Sequence, residues 1–272
     1  MRLQSFLRSS AWLIALLIAS CSGSGGGQSV ATTTSNNSPS ATGPAFSSIV
    51  LKIRPTQFSK GYVCPPFLEF GAPSGNVDFL CRTGMAVGHN PSSRTPAWVI
   101  ERLGISSLNG GVLRTDNFRA DPDLAPARRA ELGDYAGSGY DRGHMAPAAD
   151  FTWSNQAMAE SFYLSNIAPQ DPTLNRGAWS KLEDTVRSWV LQRNELLVIT
   201  GPIFQARDTT IGANRVQVPY AFFKVIFDPF RREVISFVYP NASPETSEIE
   251  AFRVPIDQIE AMTGLSLLSA SN

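Results

Sequence analysis

The segment from about Arg176 to Arg193 places Trp179, Leu182, Val186, Trp189 and Val190 within one apolar stripe about 100° wide, the pattern of a helix that must bury one face. The sequence that follows supplies a surface for it. Leu196 to Thr200, Tyr220 to Phe227 and Val234 to Tyr239 are apolar, rich in β-branched or aromatic residues and mostly bounded by Gly or Pro, and they are predicted to be central antiparallel strands. Upstream, Phe79 to Gly88 and Ala97 to Leu103 read as extended or mixed, the second leading into a polar turn at Asn109-Gly110-Gly111. Asp121 to Leu132 carries Pro and alternating charge, and reads as a long loop with a short helix. Pro244 to Glu250 is a connection, and Val254 to Thr263 a closing helix stopped by Gly264. This order of elements is that of an α+β fold.

The N-terminus is an address and not part of that fold. Arg2 and Arg8 form a positive region, Ala11 to Ala19 a short apolar one, and Ile18-Ala19-Ser20-Cys21 resembles a bacterial lipoprotein cleavage box. Residues 1–21 are then a signal peptide, and Cys21 carries the lipid that anchors the mature chain to the membrane of a bacterial cell envelope. Ser22 beside it fits outer-membrane sorting if the host has two membranes. An ordinary secretory signal with Cys21 incidental is the alternative. Residues 22–45 are rich in Ser, Gly, Thr and Asn, uncharged and nearly without bulky side chains. They cannot bury enough apolar area to offset ordering entropy and read as a tether. A single enzyme-sized domain follows, at 46–272.

With Cys21 assigned to lipid, Cys64 and Cys81 remain as an even pair in an exported, oxidising compartment. A bridge between them would stabilise by about 3 kcal/mol; two buried thiols are the alternative. No further Cys or clustered His accompanies them, which argues against a metal site there. Charge balance sets a second condition. Of 23 basic and 23 acidic side chains, Arg2 and Arg8 leave with the leader, so the mature chain carries 21 against 23, a net charge of −2. A chain that binds nucleic acid must therefore gather its cations locally. Arg119, Arg142, Arg176, Lys181 and Arg187 are the candidates for that cluster.

The chemistry is concentrated in Tyr140-Asp141-Arg142-Gly143-His144-Met145-Ala146-Pro147-Ala148-Ala149-Asp150. His144 is one of only two histidines, with an aspartate and an arginine within three residues. An imidazole can take a proton from water near neutral pH, a guanidinium can hold a phosphate oxygen, and the intervening glycine lets backbone approach a ligand. The bland reading is a surface pair, Asp141 with Arg142, beside a satisfied histidine. Downstream stand Tyr163-Leu164-Ser165-Asn166-Ile167-Ala168-Pro169-Gln170, Asn175-Arg176-Gly177-Ala178-Trp179, and Leu182-Glu183-Asp184 with Arg187. Taken alone, Asn175 is a natural N-cap and Glu183 with Arg187 an i, i+4 surface pair. With His144, a strand or loop ending in His and a helix beginning with Asn can flank one divalent ion. His89 reads as a strand-end or turn histidine, and Asn241-Ala242-Ser243 as a chance match to the glycosylation pattern.

Together these motifs resemble the DNA/RNA non-specific endonucleases, the family of sugar-non-specific bacterial nucleases and mitochondrial endonuclease G. The resemblance runs from about Phe46 to the C-terminal region. Thr200-Gly201-Pro202, Val218-Pro219, Phe223-Lys224-Val225 and Phe252-Arg253-Val254 extend it. It implies a ββα-metal (His-Me finger) core on a central antiparallel sheet flanked by helices. It also implies hydrolysis of phosphodiester bonds in DNA and RNA to 5′-phosphorylated products. By the same resemblance His144 is the general base and Asn175 the sole direct protein ligand of a Mg²⁺ ion, with Mn²⁺ as a substitute. Glu183 holds metal-bound water, while Arg142 and Arg187 bind the scissile phosphate. Arg119, Arg176 and Asn166 fall on the substrate side, Asn166 by bracing the site, and Asp141 supports it by orienting backbone or Arg142. One departure stands out. Some family members carry a substrate-binding arginine just before the aromatic that here is Phe118; this chain has Asp116-Asn117 there, leaving Arg119 to compensate. A non-catalytic nucleic-acid-binding lipoprotein, or a phosphodiesterase acting on small phosphate esters, is the rival reading.

Overall fold

A computed structural model describes residues 45–49, 52–53, 64–206, 209–246 and 248–270. The signal peptide, Cys21 and all but the last residue of the tether lie outside the described residues. Seven strands form one antiparallel sheet: β1 (Ser47–Ser48), β2 (Asp78–Cys81), β3 (Met85–Asn90), β4 (Thr95–Gly104), and, beyond the site strands named below, β7 (Glu195–Ile203), β8 (Ala221–Asp228) and β9 (Glu233–Pro240). Their order across the sheet is β1-β9-β8-β7-β4-β3-β2. The three predicted central strands are therefore present, as β7, β8 and β9. The extended run from Phe79 resolves into two strands around a tight turn closed by Arg82 N–H donating to Met85 O at 2.8 Å.

Successive side chains of a strand point to opposite faces, so one sheet can support two layers. On one face, Val99, Val198, Phe222, Ile226 and Phe237 pack under helix α2 (Ser180–Arg193), which buries Leu182, Val186, Trp189 and Val190, and under Trp179 just before it. On the other, Ile100, Leu197, Ile199, Phe223, Val225 and Phe227 pack with Ile259 of helix α3 (Ile256–Thr263) and with Leu267 and Leu268. Covered on both sides, β8 is buried at every position, which is why it reads as a continuous apolar run. Truncating Leu182, fully buried at the centre of α2, to Ala is expected to cost about 2–5 kcal/mol. Helix α3 ends where Gly264 takes φ 68°, as its position in the sequence predicts. Among the described residues no helix is long and apolar enough to cross a membrane.

Two connections shape the site. Cys64 and Cys81 are joined in a disulfide that ties the start of the described domain to edge strand β2. The loop after Asp121 contains a 3-10 turn (Pro126–Arg128) and one helical turn, α1 (Leu132–Tyr135), and the buried Asp121 carboxylate anchors it by accepting from Arg82 and Ser165, each at 2.5 Å.

The helix start differs from the expectation. Asn175 is not an N-cap: its backbone is itself helical, at φ −55° and ψ −48°. Asp171 is the cap, accepting from the backbone N–H of Thr173 (2.8 Å) and Leu174 (3.1 Å). Pro172, whose fixed φ suits the first helical position, moves the helical start upstream of Asn175. A wide turn at Asn175–Trp179, with Gly177 at φ −115° and ψ −105°, then joins it to α2.

Candidate active site

Strands β5 (Asp141–His144) and β6 (Ile167–Gln170) form a separate antiparallel pair, with Arg142 opposite Pro169 and His144 opposite Ile167. Asp141 and Gly143 face one side of it, Arg142 and His144 the other. Gly143 is required by its neighbour: a Cβ there would lie 2.2 Å from Gln170 Oε1. The chain leaving His144 is fixed by Asn166, whose Oδ1 accepts from Ala146 N–H (3.0 Å) and whose Nδ2 donates to the carbonyls of Ala146 and Ser161 (2.9 Å each). Asn166 is fully buried and acts as a brace, not on the surface.

His144 is enclosed by Phe118 and Phe162, with ring centres 5.2 and 5.1 Å away. Only 8% of the residue is exposed, and Nε2 is buried without a hydrogen-bond partner. Burial, with the charges of Arg114 and Arg142 behind it, pushes the imidazole pKa down to about 3, so the ring is neutral at physiological pH. The Arg142 guanidinium lies 4.3 Å from the centre of the Phe118 ring, and that of Arg114 lies 5.0 Å from the centre of Phe162. The two arginines that frame the imidazole lower its basicity, and an anion bound between them would raise it again.

Asp141 faces the helical turn and not Arg142, contrary to the sequence expectation. It accepts two hydrogen bonds from Arg176, at 2.8 and 2.6 Å, and one from Asn175 Nδ2 at 2.9 Å. Burial opposes ionisation of this carboxyl, but the hydrogen bonds from Arg176 and Asn175 outweigh it and hold its pKa below the usual range. With Nδ2 engaged, the amide of half-buried Asn175 has its Oδ1 oriented away from Asp141 and usable as an oxygen ligand.

Arg187 also differs. Its ion pairs go to Asp150 (2.9 Å) and Asp184 (2.5 Å), and Glu183 is not its partner. Asp150, 3% exposed, offers a carboxylate that would otherwise be buried without a counter-charge, and this outcompetes an i, i+4 contact on a half-exposed face. Although Glu183 is only half-buried as a residue, lost solvation around its carboxyl pushes the pKa up to about 7; Lys224 and Arg187 counter this while Asp150 adds to it.

Arg119 is not placed to replace the missing arginine. Its NH1 donates to the carbonyls of Asn117 (2.9 Å) and Ala159 (3.0 Å), and its guanidinium lies 4.1 Å from the centre of the Tyr163 ring. Phe118 and Arg119 are neighbours in an extended stretch and so point to opposite sides. The residue that reaches the His144 environment is Arg114, which the sequence reading missed; its loop has no periodicity that would single it out. Asp150, Glu101 and Lys224 are likewise given no role by the sequence. His89 is buried and donates from Nε2 to the Arg128 carbonyl (2.9 Å). Asn241 accepts from Asp171 N–H and donates to the Pro169 and Pro219 carbonyls, bracing a turn.

Two antiparallel strands followed by a helix, with histidine at the end of one strand and asparagine at the helix entrance, constitute a ββα-metal nuclease core. Comparison with known proteins agrees with that class. Residues 65–272 match the model of the DNA/RNA non-specific endonuclease family. Human mitochondrial endonuclease G is 39% identical over 212 residues, covering 72% of this chain and 71% of that protein. Nuclease C1 of Cunninghamella echinulata var. echinulata is 36% identical over 216 residues, covering 73% and 86%. Among solved structures, a chain of the EndoG/EndoGI complex superposes with a TM-score of 0.70 at 33% identity, covering 76% of this chain and 91% of that one. The chain belongs to the DNA/RNA non-specific endonuclease family, whose nucleases act with a divalent metal.

Proposed function

We propose that this chain is a Mg²⁺-dependent endonuclease that cleaves DNA and RNA to 5′-phosphorylated products, with His144 as general base. The observation that carries the reading is His144 at the end of β5: an imidazole kept neutral and flanked by Arg114 and Arg142, whose charges a bound phosphate would offset. Such an imidazole can take the proton of an attacking water without first losing one of its own.

The donor set fits a hard, largely hydrated ion. Among the described residues no group of three His, Cys, Asp or Glu gathers to hold a metal. Asn175 Oδ1 is the one side-chain oxygen we assign as a direct ligand, leaving the other positions to water, as Mg²⁺ prefers; Mn²⁺ could substitute. When bound, the ion supplies charge stabilisation for the phosphate as the P–O bond breaks. Glu183 accepts hydrogen bonds from water on the helix side. Arg142 and Arg114 hold the phosphate from the aromatic side, and Arg187 adds positive charge from α2. Asp141 orients Asn175, and Arg176, largely exposed, widens the cationic rim. Contacts directed at phosphate and not at base edges or the 2′-hydroxyl explain indifference to the sugar.

We assign the lipid anchor to Cys21, on the cleavage-box pattern of the leader; the protein is then held at the cell envelope by a tether. Incubating the purified protein with plasmid and with RNA, with and without chelator, tests the activity. Cleavage of both that stops with chelator supports it; binding without cleavage at any metal concentration sinks it in favour of a binding protein.

A further inference from the structure

Two ionisable side chains lie beneath the site on a sheet face that is otherwise mostly hydrocarbon. Glu101 on β4 and Lys224 on β8 are 2% and 1% exposed. The register sets Val99, Thr200 and Lys224 in one row across β4, β7 and β8, with Glu101 one step further along β4, opposite Val198. Both therefore point toward α2. Lys224 Nζ donates to Thr200 Oγ1 at 2.9 Å and to the main-chain carbonyl of Met145 at 3.4 Å, and it lies 4.8 Å from the centre of the Trp179 ring. Met145 directly follows His144, and Trp179 stands between Asn175 and Glu183 in the chain. One ammonium thus meets both halves of the site.

The surrounding charges come from every element packed on it. Burial pushes the carboxyls of Glu101 from β4, Asp150 from the turn after β5, and Glu183 from α2 toward their neutral forms, and the positive charge of Lys224 opposes this at each; Arg187, paired with Asp150 and Asp184, is a second cation there. Glu101 keeps Oε2 without a hydrogen-bond partner. Burying these groups is costly, and a methionine or leucine at position 224 would fill the same space without that cost. A site that needs a fixed cation gives the charge a reason to be there.

We propose that Lys224, beside Glu101, is a positioning residue of the nuclease site: its ammonium ties the carbonyl after His144 to the central sheet and holds Trp179, which lies between Asn175 and Glu183 in the chain. This rests on the roles of His144 and Glu183 given above.

The test compares the wild-type chain with Lys224→Met, the double variant Glu101→Gln/Lys224→Met, and His144→Ala. It reads kcat and KM on a labelled single-stranded oligonucleotide over a range of MgCl2 concentrations, with thermal melting in parallel. Lys224→Met is expected to lower kcat at least about tenfold with KM within about twofold, and to need more MgCl2 for half-maximal rate. The double variant removes Glu101 together with the cation beside it, so it should melt closer to wild type than Lys224→Met does, yet stay slow. Wild-type kcat in Lys224→Met overturns the proposal. So does a double variant in which rate returns together with stability, because Lys224 then does no more than neutralise Glu101. Should Lys224→Met fail to fold, the double variant decides alone. A fully active His144→Ala would remove the reading of the site itself, whereas an inactive His144→Ala beside a fully active Lys224→Met removes only the role of Lys224.

Discussion

Asn175 donates its side-chain amide to Asp141 at 2.9 Å, joining the first strand of the ββα unit to the turn that opens its helix. The bond fixes which end of the amide is left for a metal. It also makes Asp141, which we do not assign as a ligand, a determinant of metal affinity. Replacing Asp141 by Ala frees Asn175 to rotate and releases Arg176. Half-maximal rate should then require about 10–100-fold more Mg²⁺, the usual effect of removing a group that orients a ligand. Titrating Mg²⁺ against cleavage rate checks this, and an unchanged midpoint would show that the amide is held by other means.

Arg114 and Arg119 should separate by their effects. Arg114→Ala removes a guanidinium beside His144 and is expected to raise KM for DNA and RNA alike while leaving melting temperature nearly unchanged. It should also flatten the dependence of binding on salt, since one phosphate contact fewer releases fewer counterions. Arg119→Ala removes two hydrogen bonds to backbone carbonyls and a cation–π contact, and should cost about 1–3 kcal/mol of stability. If instead Arg119→Ala raises KM in a protein of wild-type stability, the assignments of the two arginines are reversed.

The elements that position the site were legible in the sequence where burial left a continuous signal. Apolar runs gave β7, β8 and β9, and the stripe from Trp179 to Val190 gave the inner face of α2. Asn175 was misread as a cap because a cap is a backbone state: Asp171 followed by Pro172 starts the helix earlier, and the wide turn at Gly177 restarts it. Arg119 stands beside the aromatic motif and Arg114 does not, and spacing along a loop does not say which side of the chain a residue faces. Glu101 was hidden in a segment read only as extended, and Lys224 was noted only as part of a family echo. That they share one face on either side of β7 is a property of sheet register, which no local pattern carries.

Titration of the site should appear in stability. The folded-state pKa of His144, about 3, lies below its ordinary value of 6.5. The neutral ring therefore contributes stability that is present above pH 6.5 and is lost as pH falls from there toward 3. Glu183 acts in the opposite sense: its pKa of about 7 lies above the ordinary 4.5, so its contribution is present below pH 4.5 and is lost as pH rises through 7. Urea unfolding in chelator should show His144→Gln gaining on wild type at pH 4.5 relative to pH 7.5. Glu183→Gln should gain at pH 8 relative to pH 5. Parallel profiles for wild type and both variants would contradict these burial effects.

Anchoring is tested apart from catalysis. Cys21→Ser should release the protein from the membrane fraction or leave its leader uncleaved by the lipoprotein pathway. The mass of the mature N-terminus decides, and an unmodified Cys21 in the mature wild-type protein would favour ordinary secretion.

The most direct measurement compares the rates at which the wild-type protein and His144→Ala cleave plasmid and RNA at saturating Mg²⁺, with melting curves to confirm that both are folded. With His144 as the base, the variant should lose at least about 10²-fold in rate on both substrates while keeping its fold. A folded variant that cleaves at the wild-type rate would show that the buried imidazole is not the proton acceptor.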